Sequence, residues 1–289
     1  MSDSDSASDS MLKKSIIKYS DIRPISELYT SSVLKPGKTQ RFKGDSTLLE
    51  RVSLFQGDIT KLQVDSIVNA ANKSLLGGGG VDGAIHAAAG RKLLAECRTL
   101  NGCDTGFSKI TGAYNLPSKR IIHTVGPVYS SPSVDIKVQQ LTSCYQSSLD
   151  LAVKNELRHI AFPSISTGIY GYPIEDATHI ALNVVRKHFE AESGTEGSGA
   201  FKLDRVIFVV WSDKDKSVYE SLIPEYFPPV EDSLSSAERE DDGEPVPESQ
   251  PVDDGEEEWE EVENVASSIA ENGNKEQEPA TKTIEPKAE

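Results

Sequence analysis

Between residues 51 and 226, short apolar runs alternate with longer segments in which apolar residues recur every three or four positions. The short runs predict buried strands, and the longer spacing predicts helices that bury one face. The predicted strands cover 51–56, 65–70, 110–116, 121–125, 159–165 and 206–211, and the predicted helices cover 82–100, 136–155, 174–189 and 214–226. Because strands alternate with helices, we expect an α/β domain with three layers, α/β/α.

The segments that flank this pattern lack its regularity. Residues 1–46 form an N-terminal extension, whose first ten positions are polar and predicted to be disordered. Residues 11–34 carry scattered apolar positions that suit short helices packed against the neighbouring domain, interrupted at Pro24. Pro228 and Pro229 mark the end of that domain, which we therefore place at 47–229.

Nearly all of the acidity of the chain lies at its C-terminal end. The net charge is −16, and residues 231–289 contribute −17 through 21 Asp and Glu against 4 Lys and Arg, so residues 1–230 sum to +1. The segment 230–289 is rich in Glu, Pro and Ser without a long apolar run, which predicts a disordered acidic tail. Nonspecific nucleic-acid binding requires clustered Lys and Arg, and the near-neutral domain disfavours it. A small anionic ligand is compatible with this charge.

Cysteine usage and the N-terminus indicate the compartment. Cys97, Cys103 and Cys144 show no CxxC or Cys/His ligand spacing, so we expect reduced structural thiols in a cytoplasmic or nuclear protein. For the same reason we expect His123 to be a buried strand residue, with no metal and no cofactor. The N-terminus lacks the apolar core of a secretory signal, and no stretch approaches the ~18 apolar residues that span a bilayer. We expect a monomer without membrane contact.

A glycine loop, made of the four consecutive glycines 77–80, separates the predicted strand 65–70 from the predicted helix 82–100. Glycine lets a ligand approach backbone N–H groups closely, and a helix N-terminus favours an anion at the same place. A second glycine-containing loop, 164–171, follows the strand 159–165. Both loops follow the carboxyl ends of strands, so they predict a phosphate cradle in the crevice at that edge of the sheet. The alternative, a flexible loop, is usually padded with serine and followed by polar sequence.

Residues 78–83 also satisfy the dinucleotide pattern G-x-G-x-x-G. In dinucleotide-binding folds the first glycine follows its strand almost at once, whereas residues 72–76 intervene here. An acidic ribose-binding residue after a second strand is not evident, and a Walker A lysine is missing. These departures disfavour a nicotinamide-dependent oxidoreductase and a P-loop NTPase.

Five segments carry a family resemblance: GDIT at 57–60, VNAAN at 68–72, LLGGGGVDGAIH at 75–86, IHTVGP at 122–127 and ISTGIYG at 165–171. In this order and spacing the chain resembles a macrodomain, in particular the MacroD-type branch, over about residues 47–227. The resemblance implies a mixed central sheet, binding of ADP-ribose, and hydrolysis of the bond between its distal ribose and an acidic protein side chain. It also implies deacetylation of O-acetyl-ADP-ribose, removal of ADP-ribose from nucleic-acid phosphate ends, and a link to the DNA damage response.

The resemblance also implies roles for individual residues. Asp58 would accept from the adenine amino group, Asn72 and Tyr170 would contact the distal ribose, and 78–81 and 166–170 would hold the pyrophosphate. The expected ligand-binding residues are Asp58, Ile59, Asn69, Gly78, Gly79, Gly80, Val81, Ser166, Thr167, Gly168, Ile169, Tyr170 and Trp211. Two of them have alternatives, because Asp58 could merely cap a turn and Trp211 could pack in the core instead of stacking on adenine.

Asp82, His86 and Asn72 are the expected catalytic residues. Asp82 and His86 are four positions apart on a predicted helix and so lie on one face, a turn apart. The helix N-terminus should keep Asp82 ionised, so that it holds a water molecule together with a phosphate oxygen of the substrate. His86 would position Asp82, assist proton transfer or simply pack in the core. The water would attack the anomeric carbon or the ester carbonyl.

A non-catalytic ADP-ribose reader is the rival function. Binding alone needs neither Asp82 nor His86, so their presence favours a mono-ADP-ribosyl-protein hydrolase. Cleavage of poly-ADP-ribose is disfavoured, because the glycine loop contains no adjacent glutamate pair. In the tail, Trp259 within EEEWEEV resembles a motif that docks autophagy ubiquitin-like proteins; the alternative is a solvated acidic segment.

Overall fold

The computed structural model describes residues 16–193 and 202–230. Its strands are β1 (Ile17–Lys18), β2 (Val52–Gln56), β3 (Leu62–Gln63), β4 (Ser66–Ala71), β5 (Ser108–Gly112), β6 (Arg120–Val125), β7 (His159–Pro163) and β8 (Arg205–Val210). Its α-helices are α1 (Ile25–Thr30), α2 (Ser46–Leu49), α3 (Gly80–Ala89), α4 (Arg91–Thr99), α5 (Val134–Lys154), α6 (Ile174–Ser193) and α7 (Asp213–Tyr226). The first ten residues and residues 231–289, with the Trp259 motif, lie outside the described residues.

Six strands form the central sheet, in the order β2-β8-β7-β4-β6-β5. All neighbours run parallel except β5, which lies antiparallel to β6 at one edge. The inner strands β4, β6, β7 and β8 are buried on both faces, which explains their nearly continuous apolar sequences. The sheet is therefore mixed, as the resemblance to macrodomains implied.

Each face of the sheet has its own core, because successive strand residues point to opposite sides. On one face, Ile67 of β4 lies in a cluster with Leu93 of α4 and with residues of α3. On the other, Val68 of β4 lies in a cluster with Tyr145 of α5, Tyr219 of α7, and residues of α1 and α6. Two helical layers thus enclose the sheet, which confirms the predicted α/β/α architecture.

The N-terminal segment contributes to these cores. Ile25, Leu28 and Leu34 are buried and belong to the cluster under α5, α6 and α7. Nearby, β1 pairs in parallel with β3, and Nη1 of Arg205 donates to the carbonyl oxygen of Ile22 at 3.0 Å. Residues 22–34 therefore pack as part of the domain. Within the described residues, no helix is both long and apolar enough to span a bilayer.

The predicted helix 82–100 is in fact two helices. Gly90 separates α3 from α4 with a φ of +83°, and a Cβ at this position would lie 2.8 Å from Nδ2 of Asn115. The apolar period continues across this break because both helices bury residues in the same core, so the pattern alone predicted one helix. The short elements β1, β3 and α2 were not predicted, because two to four residues are too few to show a period.

Candidate functional site

A cavity of about 610 Å³ lies at the edge of the sheet where β2, β4, β6, β7 and β8 end. Its lining residues fall within 57–59, 70–72, 78–84, 126, 163–170 and 209–215. Parallel strands present their carboxyl ends at one edge, which explains why five separate loops meet there. Every predicted ligand-binding residue except Asn69 lies in this wall, as do the predicted catalytic residues Asp82 and Asn72.

The glycine loop is held in place by the side chain of Asn72. Its Oδ1 accepts from the backbone N–H of Ser74 at 2.9 Å, and its Nδ2 donates to the carbonyl oxygen of Gly77 at 2.8 Å. Helix α3 begins at Gly80 within the cavity wall, so its unpaired backbone N–H groups and positive dipole end face the cavity. This geometry suits an anionic ligand.

Two glycines mark places where separate segments of the site come close together. A Cβ on Gly83, in the first turn of α3, would lie 2.5 Å from the carbonyl oxygen of Gly78. A Cβ on Gly79 would lie 3.2 Å from Cδ1 of Ile169, which belongs to the second loop. The two loops therefore approach each other across the cavity, as expected for a pyrophosphate held from both sides.

The second loop follows β7 and turns sharply at Ser166, whose φ is +67°. The carbonyl oxygen of Ser166 accepts from the backbone N–H of Tyr172 at 2.9 Å, and that of Tyr170 accepts from the N–H of Tyr129 at 2.9 Å. These bonds fix both ends of the turn. Ile169, at its tip, is 82% exposed at the cavity mouth.

Asp82 lies at the base of the glycine loop, and its two carboxylate oxygens have different surroundings. Oδ1 accepts from Nδ2 of Asn69 at 2.7 Å and lies 3.5 Å from Nε2 of His86. Oδ2 lies 3.5 Å from Nδ2 of Asn72, and a Cβ on Gly78 would lie 3.1 Å from it. One oxygen is thus anchored by the protein, and the other faces the glycine loop.

Burial affects the pKa of the Asp82 carboxyl. The carboxylate is almost completely buried, and this raises its pKa above the ordinary value, although the bond from Asn69 and the proximity of His86 oppose the change. The helix N-terminus, from which the sequence predicted an ionised Asp82, favours the charged form. Desolvation by burial acts in the opposite direction and raises the pKa, which makes the ionised carboxylate a stronger base than that of an exposed aspartate.

The structure places Asn69 and His86 behind Asp82 and outside the cavity wall. Asn69 is fully buried and does not line the cavity, and its amide donates to Asp82; a direct contact of Asn69 with the ligand stays a prediction. His86 is largely buried beside the same carboxylate. This arrangement favours a positioning role for His86 over direct contact with the ligand.

The opposite end of the cavity carries Asp58 and Trp211. Oδ1 of Asp58 accepts from the backbone N–H of Thr60 at 2.9 Å and from its hydroxyl at 2.7 Å, so the turn-capping alternative is realised. Its Oδ2 has no hydrogen-bond partner among the described residues and remains available to a ligand. Trp211 is 76% exposed, which excludes the core-packing alternative. Ile59, the other residue predicted at the adenine end, is buried and also lines the cavity.

Comparisons with known proteins agree with this architecture. The macro domain family model matches residues 68–181. The ADP-ribose glycohydrolase MACROD1 of Rattus norvegicus is 51% identical over 188 residues, which cover 65% of this chain and 70% of that protein. A macro domain-containing protein of Chlorobaculum tepidum is 53% identical over 172 residues, 60% of this chain and 95% of its own length. This chain belongs to the macrodomain family.

A solved structure supports the same assignment. The Trypanosoma brucei macrodomain in complex with ADP-ribose aligns with a TM-score of 0.60 and 39% identity, over 72% of this chain and 77% of that one. This macrodomain spans only between 37% and 56% of the length of several other MACROD1 and MACROD2 relatives. The relatives therefore contain segments for which this chain has no aligned counterpart.

Behind the Asp82 carboxylate, this macrodomain brings together His86, Cys97 and His123, whose ligand atoms all lie within 4.8 Å of one another. The sequence spacing gave no sign of this cluster, because the three residues come from α3, α4 and β6. Such donors suit zinc, but both ring nitrogens of His123 are already within hydrogen-bonding distance of protein groups, and burial raises the pKa of the Cys97 thiol to about 11. The absence of a bound metal remains a prediction.

Sequence reasoning missed Gly126 and Asp215, which also line the cavity. Gly126 follows β6, and a Cβ there would collide with Oγ of Ser166, so a side chain at this position would displace the second loop. The position of Gly126 directly after a predicted strand was a usable signal, in the motif IHTVGP. Asp215 lies in the first turn of α7, and its sequence context gave no indication of the cavity.

Proposed function

We propose that this macrodomain binds ADP-ribose and hydrolyses mono-ADP-ribose from acidic side chains of modified proteins. The cavity volume of about 610 Å³ lies in the range of small-molecule sites. The glycine loop, the N-terminus of α3 and the second loop face one another and offer backbone N–H groups to a pyrophosphate without any lysine. Asp58 and Trp211 offer a hydrogen-bond acceptor and an aromatic surface for the adenine.

The observation that carries the hydrolase assignment is the geometry of Asp82. Its Oδ1 is anchored by Asn69, and its Oδ2 faces the glycine loop, where the pyrophosphate would lie. A water molecule held between Oδ2 and a phosphate oxygen would be adjacent to the distal ribose. Because burial raises the pKa of Asp82, the ionised carboxylate accepts a proton from that water more readily than an ordinary aspartate does.

The test uses a protein that is mono-ADP-ribosylated on Asp or Glu and measures the release of free ADP-ribose. We expect Asp82→Ala to lose activity by about 10²-fold or more, as for removal of a general base, and to retain binding of ADP-ribose in calorimetry. Asp135→Ala is the matched control, because Asp135 is an exposed carboxylate in the first turn of α5, outside the cavity. Binding of ADP-ribose by the native chain without release from the modified protein would instead establish the reader function.

Hydrolysis in H₂¹⁸O distinguishes the two carbons that water could attack. Attack on the ester carbonyl breaks the acyl C–O bond and leaves ¹⁸O in the Asp or Glu carboxylate of the product protein. Attack on the anomeric carbon breaks the ribose C–O bond, and the carboxylate leaves with both of its original oxygens. Mass spectrometry of the demodified peptide therefore assigns the bond. We extend the proposal to O-acetyl-ADP-ribose, whose acyl group would occupy the same position near Asp82.

A further inference from the structure

A chain of buried polar side chains leads away from Asp82 into the domain. Nδ2 of Asn69, which donates to Asp82, also lies 3.1 Å from Nδ1 of His123. Nε2 of His123 lies 2.9 Å from Oγ1 of Thr111, whose hydroxyl donates to the carbonyl oxygen of Gly112 at 3.1 Å. Asn69 and His123 are direct partners in the β4–β6 register. Asn69, His123 and Thr111 are at most 2% exposed.

The donors and acceptors in this chain are consistent with one arrangement. The hydroxyl hydrogen of Thr111 goes to Gly112, so its oxygen accepts from His123, which then carries its proton on Nε2. Nδ1 of this neutral histidine is an acceptor and requires a donor, which is the amide nitrogen of Asn69 at 3.1 Å. The same nitrogen donates its other hydrogen to Asp82, while Oδ1 of Asn69 has no hydrogen-bond partner among the described residues. Each hydrogen bond thus fixes which group donates and which accepts in the next one.

We propose that Thr111 and His123 are positioning residues for Asp82: they fix the orientation of the Asn69 amide so that its nitrogen, and not its oxygen, faces the carboxylate. This inference rests on the proposed hydrolase function. A reversed amide would place Oδ1 against the carboxylate, which would repel the ionised form. Neither Thr111 nor His123 lines the cavity, so both act on the reaction only through Asn69.

The surroundings of His123 keep it in the required neutral form. Burial, with a smaller effect from nearby His86, lowers the pKa of His123 to about 3. The titratable groups that approach it are His86 of α3, with ring centroids 6.2 Å apart, and Cys97 of α4, whose Sγ lies 3.9 Å from Nε2. Burial raises the pKa of Cys97 to about 11, so the thiol is also neutral. Neither His123 nor Cys97 therefore changes its charge near neutral pH.

Thr111→Val tests the inference, because it keeps the shape of the side chain, removes the oxygen acceptor at 2.9 Å from Nε2 and leaves only the weak sulfur acceptor of Cys97 at 3.9 Å. His123 then loses its preference for the Nε2–H tautomer, and the Asn69 amide loses its fixed orientation. We expect kcat to fall about tenfold, with ADP-ribose affinity unchanged. The acid limb of the kcat profile should move up by roughly half to one pH unit, because the bond from Asn69 opposes the raised pKa of Asp82. Thr111→Ser restores the hydroxyl and should recover both properties.

Two further measurements separate positioning from a structural role. Thr99→Val removes an exposed hydroxyl that bonds the carbonyl oxygen of Glu96 in α4, and is the matched control for the loss of a threonine hydroxyl. The ¹⁵N shifts of the His123 ring should report Nε2–H in the native protein and a mixture of tautomers in Thr111→Val.

Unchanged kcat and pH profile in Thr111→Val would overturn the proposal. A parallel loss of affinity, turnover and thermal stability would also overturn it, since that pattern indicates damaged packing. If ADP-ribose is bound by the native chain but never released from modified protein, the hydrolase proposal itself is wrong, whatever the ¹⁵N result.

Discussion

Trp211 illustrates how single residues of this macrodomain depart from ordinary packing. An indole is among the largest apolar groups available, yet 76% of this one is exposed at the end of β8, at the cavity rim. The preceding residue, Val210, is almost fully buried, so the core ends at Val210 and the tryptophan lies outside it. Such a side chain gains contact area only when a ligand covers it. The adenine of the proposed ligand is a planar partner of suitable size.

Trp211→Ala should therefore weaken ADP-ribose binding by about 1–3 kcal/mol, the usual range for loss of stacking between a base and an aromatic ring. The effect should appear in the dissociation constant and in KM, with kcat nearly unchanged, because the adenine end lies far from the reacting bond. Isothermal titration calorimetry measures it directly. Phe107→Ala is the control, since Phe107 is also exposed, at 60%, but lies outside the cavity wall. An equal loss of affinity in both variants would contradict the stacking role.

Among the elements, the junction between β4 and α3 depends on glycine at defined positions. Alanine in a helix is normally more favourable than glycine by about 0.5–1 kcal/mol, so Gly83 in the first turn of α3 has no advantage from helix propensity. A steric clash with the carbonyl oxygen of Gly78 would make alanine at position 83 unfavourable, because a Cβ there would lie only 2.5 Å from that oxygen. This clash costs more than alanine gains from its helix propensity. The helix must therefore lack a side chain there so that the loop can fold back on it.

Gly83→Ala should consequently destabilise the protein by about 1–3 kcal/mol, instead of stabilising it, because the glycine loop must move. We also expect ADP-ribose affinity to fall at least about tenfold, since the displaced Gly78 lines the cavity. Thermal unfolding and calorimetry measure the two quantities. Gly112→Ala is the control, because a Cβ there meets its nearest neighbours at 3.7 Å, an ordinary contact. A more stable Gly83→Ala variant would show that the loop does not depend on this contact.

The order of elements could be predicted because buried parallel strands and amphipathic helices leave clear periods in the sequence. The cavity could also be located, since the loops at 72–79 and 164–171 both follow the carboxyl ends of strands. The network behind Asp82 could not be predicted in the same way. It depends on the lateral register that pairs Asn69 with His123 and on the antiparallel β5 that brings in Thr111, and no local pattern encodes either. The raised pKa of Asp82 likewise depends on burial by distant segments.

At the scale of the whole molecule, the edge of the sheet opposite the cavity is held together by Asp65. This largely buried carboxylate precedes β4 and accepts from the backbone N–H of Arg158, before β7, at 2.7 Å. Nζ of Lys119, before β6, lies 2.5 Å from its Oδ1, and Nδ1 of His159 lies 3.4 Å from its Oδ2. The ring of Tyr19, after β1, stacks on His159 at 3.9 Å. One side chain thus joins the starts of three strands, and the N-terminal segment packs on it.

Asp65 should make the stability of the domain depend on pH. Burial alone would raise its pKa, but the bonds from Lys119 and Arg158 and the nearby His159 hold the pKa below the ordinary value. Because the pKa is lower in the folded state than in the unfolded chain, the carboxylate stabilises the fold above about pH 4, and this contribution is lost as the pH falls through the folded pKa. The cavity lies at the other edge of the sheet, so ligand affinity should not depend on this group.

Asp65→Asn should therefore lower the free energy of unfolding at pH 7 by about 1–3 kcal/mol, since the buried donors lose a charged acceptor. The difference from the native protein should shrink as the pH falls below about 4, because the native carboxyl then also becomes neutral. Urea denaturation at pH 7 and at pH 3 measures both values. Asp204→Asn removes a more exposed partner of Arg158 and should cost less, about 0–1 kcal/mol. A loss from Asp65→Asn that is the same at both pH values would show that packing, and not charge, holds this edge of the sheet together.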